Sequence, residues 1–148
     1  MRKYLLFIFL FPNLCLSQNL YNPYLFYENM GGVYDKDSLR TININFYNSD
    51  FNNILDSTYY SSPLYRLPAK LIFNNVKLDS VAIRYKGNSS YIKCNSIIKK
   101  PYNIDINDIV VGQTLMGYKK LKLSNSWFDP TFLKELLATK IYQRYLPT

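Results

Sequence analysis

Alternation of apolar and polar residues predicts β-structure through the middle of the chain. Successive side chains of a strand point to opposite faces, so this period is typical of a sheet with one buried face. The polar pair Asn74-Asn75 separates two such stretches and predicts a tight turn between antiparallel strands. The alternating stretches that we interpret as strands are 39–47, 69–73, 76–86, 99–107 and 118–124.

Two details of this pattern predict local geometry. The alternation changes phase between Leu78 and Val81, which indicates a β-bulge or bend near Asp79 and Ser80. In the stretch 99–107, Lys100 falls on the same face as three apolar side chains, so we expect Lys100 to point inward over an edge of the core. Those side chains are Tyr102, Ile104 and Ile106.

A helical period appears at two places. Ser49 or Asp50 can cap a short helix with an apolar side at Phe51, Ile54 and Leu55. Asp129-Pro130 predicts the start of a long C-terminal helix that runs to about Tyr145, with Leu133, Leu136, Leu137 and Ile141 on one face. The predicted fold class is therefore α+β: a twisted, mostly antiparallel sheet of about five strands with one long C-terminal helix packed on it.

The first residues have the features of a secretory signal peptide. Arg2 and Lys3 precede an apolar run, and cleavage is expected after Ser17. A segment of this length, 1–17, is too short to span a bilayer as a permanent helix. A lipoprotein with Cys15 as the lipidated residue is the alternative, weakened by the large Leu14 before it. We expect an exported protein, extracellular or at the cell surface or periplasm, with an extended arm at 18–38 and one domain at 39–148.

Charge and residue types narrow the chemistry. The formal net charge is +8, and the stretch 66–100 holds eight basic residues against one acid, Asp79. Such a segment could bind nucleic acid, a membrane surface or phosphates, and export makes nucleic acid the least expected partner. The chain contains no histidine, which excludes Ser-His-Asp and Cys-His nucleophiles. Cys94 is the only cysteine after the expected cleavage, so no internal disulfide can form.

The stretch 84–107 is the candidate for function. Its Gly87-Asn88-Ser89-Ser90 turn is followed by the Lys99-Lys100 pair. Backbone N–H groups of a small-residue turn and a lysine can converge on phosphate oxygens. Taken alone, however, this stretch favours the alternative of a long β-hairpin with an exposed tip.

Four motifs in order carry a resemblance to a known family. They are Arg84-Tyr85-Lys86-Gly87-Asn88-Ser89-Ser90, Lys99-Lys100-Pro101-Tyr102-Asn103-Ile104, Lys119-Lys120-Leu121-Lys122-Leu123 and Asp129-Pro130-Thr131-Phe132-Leu133-Lys134-Glu135. Together they span about residues 66 to 146. This part of the chain resembles the N-terminal half of the spore coat protein H (CotH) kinase family.

The resemblance implies an exported, atypical protein kinase that uses ATP and a divalent metal to phosphorylate proteins. This chain would supply the nucleotide-binding small lobe, in which a strand lysine contacts the phosphates and pairs with a helix glutamate. The candidates are Lys100, with Lys99 as the alternate, and Glu135. The turn formed by Gly87, Asn88, Ser89 and Ser90 would lie near the phosphates.

The chain also departs from the family pattern. The catalytic aspartate and the metal-binding aspartate and asparagine of the family belong to its second half, and no residue here matches them. We therefore assign no catalytic and no metal-binding residue, and expect a partial domain that is inactive without a C-terminal lobe and a protein substrate. The alternative is a non-catalytic secreted binding or adhesion module.

Overall fold

A computed structural model of the chain describes residues 32–35, 38–94 and 99–145. The expected signal peptide at 1–17 and most of the arm at 18–38 lie outside these residues. Five strands and three helices follow one another along the described chain. They are β1 (Ile42–Phe46), α1 (Phe51–Ser61), β2 (Leu67–Phe73), β3 (Val76–Tyr85), α2 (Ser89–Ile92), β4 (Tyr102–Asp105), β5 (Lys120–Leu123) and α3 (Lys134–Tyr145).

The five strands form one open antiparallel sheet in the order β1-β2-β3-β4-β5. The predicted α+β class and the predicted five-stranded antiparallel sheet are confirmed. β4 and β5 are shorter than the stretches whose alternation predicts them, with four residues each. In the described part of the chain, no helix is both long enough and apolar enough to cross a bilayer.

The predicted bulge lies in the hairpin of β2 and β3. Ala69 is paired with Val81 and Leu71 with Leu78, so Asp79 and Ser80 together face the single residue between the two β2 positions. That residue is Lys70, whose Nζ lies 2.7 Å from the Asp79 carboxylate. The hydrogen bond to Asp79 raises the pKa of Lys70. The extra residue shifts the phase of β3, which confirms the prediction made from its sequence.

The sheet carries a first core on one face. It is built from fully buried aliphatic and aromatic side chains of the strands and of the segment that follows β4. Burying one such side chain contributes about 1.5–3 kcal/mol relative to leaving it exposed. The members are Ala69, Leu71, Phe73, Val81, Ile83, Ile104, Ile106, Leu115 and Leu121.

A second core, which we call the tyrosine core, lies under α1. Its buried members are Leu55, Leu67, Tyr85 and Tyr91. Phe51, Ile54 and Tyr59 of α1 pack against them, which confirms the predicted apolar side of this helix. α1 is thus the helix that packs on the sheet, against β3.

α3 differs from its prediction in start and in packing. It begins at Lys134, not at Pro130, because the Asp129 carboxylate accepts hydrogen bonds from the Thr131 N–H and the Lys134 N–H, at 3.0 and 2.7 Å. The apolar stripe that was expected to pack on the sheet is 41–57% exposed. That stripe consists of Leu133, Leu136, Leu137 and Ile141.

The structure therefore has two helices of similar length, α1 with 11 residues and α3 with 12, where one long helix was expected to cover the sheet.

Candidate functional site

The Gly87–Ser90 turn is separated from the end of β3 by a single residue. Gly87 has a φ of +78°, a conformation that costs a residue with a Cβ several tenths of a kcal/mol or more. A Cβ at Gly87 would also collide with the Ser90 hydroxyl. The Tyr59 hydroxyl of α1 donates a hydrogen bond to the Gly87 carbonyl. The turn therefore requires glycine at position 87 and is tied to α1 by the Tyr59 hydroxyl.

The tip between β3 and β4 is helical at its start. β3 and β4 are an antiparallel pair, as a hairpin requires, but Ser89 begins the single turn of α2. The carbonyl of Asn88 accepts the N–H groups of Tyr91 and Ile92, at 3.2 and 2.9 Å, while its own side chain is exposed. The hairpin interpretation is thus correct for the strands, and the tip contains local helical structure.

Asn125, which follows β5, joins the turn to the lysine pair. Its side chain is buried, with 8% of the residue surface exposed. The amide Nδ2 donates to the Ser90 carbonyl at 3.0 Å and to the Lys99 carbonyl at 2.9 Å. One amide therefore holds together the two ends of the candidate stretch, the serine turn and the lysine pair. The sequence places this asparagine just after a predicted strand but gives no sign of its partners.

A cavity of about 230 Å³ opens beside this junction, and we call it the serine cavity. Three of the predicted site residues line it, Ser89 and Ser90 from α2 and Glu135 from α3. Further lining residues come from the segment between β5 and α3: Ser124, Asn125 and Trp127. The sequence analysis placed the turn near the phosphates and paired Glu135 with a lysine, and in the structure Ser89, Ser90 and Glu135 line one cavity.

A hydrogen-bonded chain runs along the edge of the serine cavity. Lys86 Nζ donates to Ser124 Oγ at 3.3 Å, and Ser124 Oγ donates to Glu135 Oε1 at 3.1 Å. Lys86 was not among the candidates selected from the sequence. Its position directly before Gly87, inside the first motif, was the available signal.

Lys100 has the inward orientation that the sequence predicts, but a different partner. Its side chain is 12% exposed, and its Nζ lies 4.1 Å from the ring centroid of Tyr91 and 3.7 Å from Asp56 Oδ1. The Tyr91 hydroxyl donates to the same carboxylate oxygen. The acid that offsets the desolvation of Lys100 is therefore Asp56 of α1, and not Glu135. The sequence analysis missed Asp56 because α1 was expected to contribute only its apolar side.

Lys99 points away from its neighbour. Its Nζ lies over the ring of Phe132, 4.6 Å from the centroid, in the segment before α3. Its carbonyl accepts the Asn125 amide and the Cys94 thiol, the latter at 3.1 Å. The two lysines thus face different surroundings, Lys100 the tyrosine core and Lys99 the approach to α3.

The tyrosines around Lys100 are strongly favoured in their neutral form. Burial raises the pKa of Tyr85 well above its ordinary value, helped by the neighbouring Tyr102 and Asp56. Burial also raises the pKa of Tyr91, and the hydrogen bond to Asp56 raises it further. At neutral pH both hydroxyls are therefore donors, and Tyr85 donates to Asn52 Oδ1 at 2.8 Å.

The serine cavity has an unused donor. The indole Nε1 of Trp127 is buried and has no hydrogen-bond partner among the described residues. An indole nitrogen can only donate, so an acceptor such as a phosphate or ribose oxygen would satisfy it. The hydroxyls of Ser89 and Ser90 add donors on the same wall. The arrangement can bind an acceptor-rich group.

The described residues hold no group of three or more His, Cys, Asp or Glu side chains suited to a metal ion. Comparison of the chain with protein-family models, with curated proteins and with solved structures found no match in any of the three.

Proposed function

We propose that this chain is the nucleotide-binding small lobe of an exported kinase of the CotH type, with the nucleotide phosphates at the serine cavity. One observation carries the proposal: Ser89 and Ser90 of the predicted phosphate turn line the same cavity as Glu135. These residues belong to two motifs that lie far apart in the sequence. Their convergence at one cavity is what a shared ligand would require.

The balance of charge in the cavity supports a phosphate ligand only if a cation takes part. Glu135 is the carboxylate in the lining, and it would repel a phosphate. Its role in the proposal is to position a lysine, as in other protein kinases. Through Ser124, it already holds the ammonium group of Lys86 at the edge of the cavity.

The geometry ranks the three candidate lysines. Lys86 is connected to Glu135 through Ser124, which lines the cavity. Lys100 would first have to leave Asp56 and the ring of Tyr91. Lys99 lies against Phe132, near the start of α3. We therefore place Lys86 first for phosphate contact and keep Lys100 and Lys99 as the alternatives.

The metal belongs to the proposal through the nucleotide. Mg²⁺ binds nucleotides through their phosphates, and we assign no described residue as its ligand. No step of phosphoryl transfer is derived from the described residues. Transfer to a protein substrate, a second lobe and export are parts of the same proposal that rest on the motif resemblance.

Titration calorimetry of the full chain with Mg²⁺ and ATP tests this proposal. Lys86→Ala should weaken ATP binding about tenfold or more, because a hydrogen bond to a charged group contributes about 1.5–3 kcal/mol. Glu135→Gln should weaken it because the lysine loses its anchor. Lys122→Ala is the matched control, since Lys122 is an exposed lysine on β5.

The same titration with Lys99→Ala and Lys100→Ala decides between the lysines. The variant with the largest loss of affinity identifies the phosphate contact. Unchanged ATP binding in all three lysine variants and in Glu135→Gln would refute a nucleotide site at the serine cavity.

A non-catalytic binding module is the second candidate function. The exposed apolar stripe of α3 favours it, because contiguous exposed apolar side chains commonly mark an interaction surface. A folded chain that shows no heat of ATP binding at millimolar nucleotide would support this candidate over the kinase lobe.

A further inference from the structure

A second cavity, of about 310 Å³, lies between α1 and β3, and we call it the tyrosine–arginine cavity. It shares no lining residue with the serine cavity, and it is lined by Gly87 of the predicted phosphate turn and by Lys86. Its lining combines aromatic rings with two cations. The residues that matter for its chemistry are Tyr59, Tyr60, Tyr65, Pro63, Arg84 and Lys86.

The lining of this cavity is positively charged. Arg84 and Lys86 contribute two cations, and no Asp or Glu lines the cavity in the described part of the chain. Arg84 Nη1 donates to the Pro63 carbonyl, while its Nε is buried and has no partner among the described residues. A partly buried cation without an anion is unfavourable, so an incoming anion would be stabilised there.

Aromatic rings give the cavity a second recognition element. Tyr60 is 69% exposed and Tyr65 is 45% exposed, so a ligand can approach both side chains without unfolding of the core. Tyr59 contacts Tyr60 edge-to-face, with ring centroids 4.7 Å apart, which limits the movement of the Tyr60 ring. An ordered aromatic ring beside a cation suits a ligand that has both a ring and a negative charge.

We propose that the tyrosine–arginine cavity binds a small monocyclic anion, a single ring that carries a phosphate or a carboxylate. The anionic group pairs with Arg84, and the ring packs on Tyr60. A volume of about 310 Å³ lies at the lower end of the range of about 300–1,000 Å³ typical of ligand pockets, so the cavity has room for a single ring. This site goes beyond the nucleotide site proposed above and does not depend on it.

Phenyl phosphate is the probe. Its binding is measured by titration calorimetry or from the changes in NMR chemical shift of the tyrosine rings. Arg84→Gln should weaken phenyl phosphate binding about tenfold, the effect expected for losing a charged hydrogen bond. Tyr60→Ala should weaken it about fivefold through the lost ring contact. Because Tyr60 is exposed, this variant keeps the test valid even if Arg84→Gln folds poorly.

Three controls locate the binding. Lys77→Gln removes one positive charge from an exposed position of the same strand, outside the cavity, and should leave the affinity unchanged. Ser89→Ala should also leave it unchanged, because Ser89 lines the serine cavity and not this one, so this result separates the two cavities. Glucose 6-phosphate tells whether the preferred ring is aromatic or a sugar.

The proposal is overturned if neither ring phosphate binds below millimolar concentration. It is also overturned if inorganic phosphate binds as tightly as both, or if Lys77→Gln and Arg84→Gln have equal effects.

Discussion

Replacement of Asn125 by alanine tests whether one buried amide holds the candidate site together. The Asn125 side chain donates to the carbonyls of Ser90 and Lys99 at 3.0 and 2.9 Å. Alanine removes both donors and leaves the two carbonyls short of partners, although the Cys94 thiol still reaches the Lys99 carbonyl. Each lost hydrogen bond costs about 1–1.5 kcal/mol in stability, so we expect a total loss of about 2–3 kcal/mol.

Urea unfolding followed by far-ultraviolet circular dichroism measures this loss. A loss of about 2–3 kcal/mol lowers the unfolding midpoint by about 1–1.5 M, given a slope of about 2 kcal/mol per molar urea. Asn45→Ala is the matched control, because Asn45 is an exposed asparagine on β1, and its midpoint should stay near that of the unchanged chain.

The same pair of variants also reports on the site. Asn125→Ala should weaken ligand binding at the serine cavity, because Ser90 would no longer be tied to the segment that follows β5. If Asn125→Ala unfolds at the same urea concentration as Asn45→Ala, the amide does not carry the junction and our account of the site is wrong.

Two further predictions concern the tyrosine core. Asp56→Ala should destabilise the chain by about 1–2 kcal/mol, a reduced value because this carboxylate is 41% exposed. The double variant Asp56→Ala with Lys100→Met should recover part of the loss, since no unpaired cation remains. Thermal unfolding measures this, and equal loss in the single and double variants would contradict the pairing. Burial raises the pKa of Tyr85. The contribution of the neutral Tyr85 hydroxyl to the free energy of unfolding is therefore complete below about pH 10, the ordinary tyrosine pKa, and is lost as the pH rises further. Tyr85→Phe should therefore lose less stability than the unchanged chain between about pH 10 and 12. If the free energy of unfolding falls equally with pH in both proteins, the Tyr85 hydroxyl is not buried.

The strands were predictable because their signal is local. Alternation along a strand depends on which face is buried, and this face is shared by neighbours such as Val81, Ile83 and Tyr85. The bulge was predictable for the same reason, since an extra residue shifts the phase within the strand itself. The same local patterns identified the turn at Gly87 and the inward side of Lys100.

These local patterns do not predict which distant segments contact each other. The apolar period of α3 shows that Leu136 and Leu137 share a face, but not whether the sheet covers that face. Likewise, the inward position of Lys100 demands an acid but does not say which one, and Asp56 is supplied by a helix early in the chain. The resemblance pointed to Glu135, whose hydrogen bond in this structure is instead to Ser124.

The last residues of β3 link the two cores to the site. Val81 and Ile83 belong to the first core and Tyr85 to the tyrosine core, and the next residue is Lys86. Val81, Ile83 and Tyr85 share one face of β3, so both cores pack against the strand that ends directly before Lys86. A substitution in the first core can shift the end of β3 and with it this cation, so variation at Val81 or Ile83, which line neither cavity, should change ligand affinity.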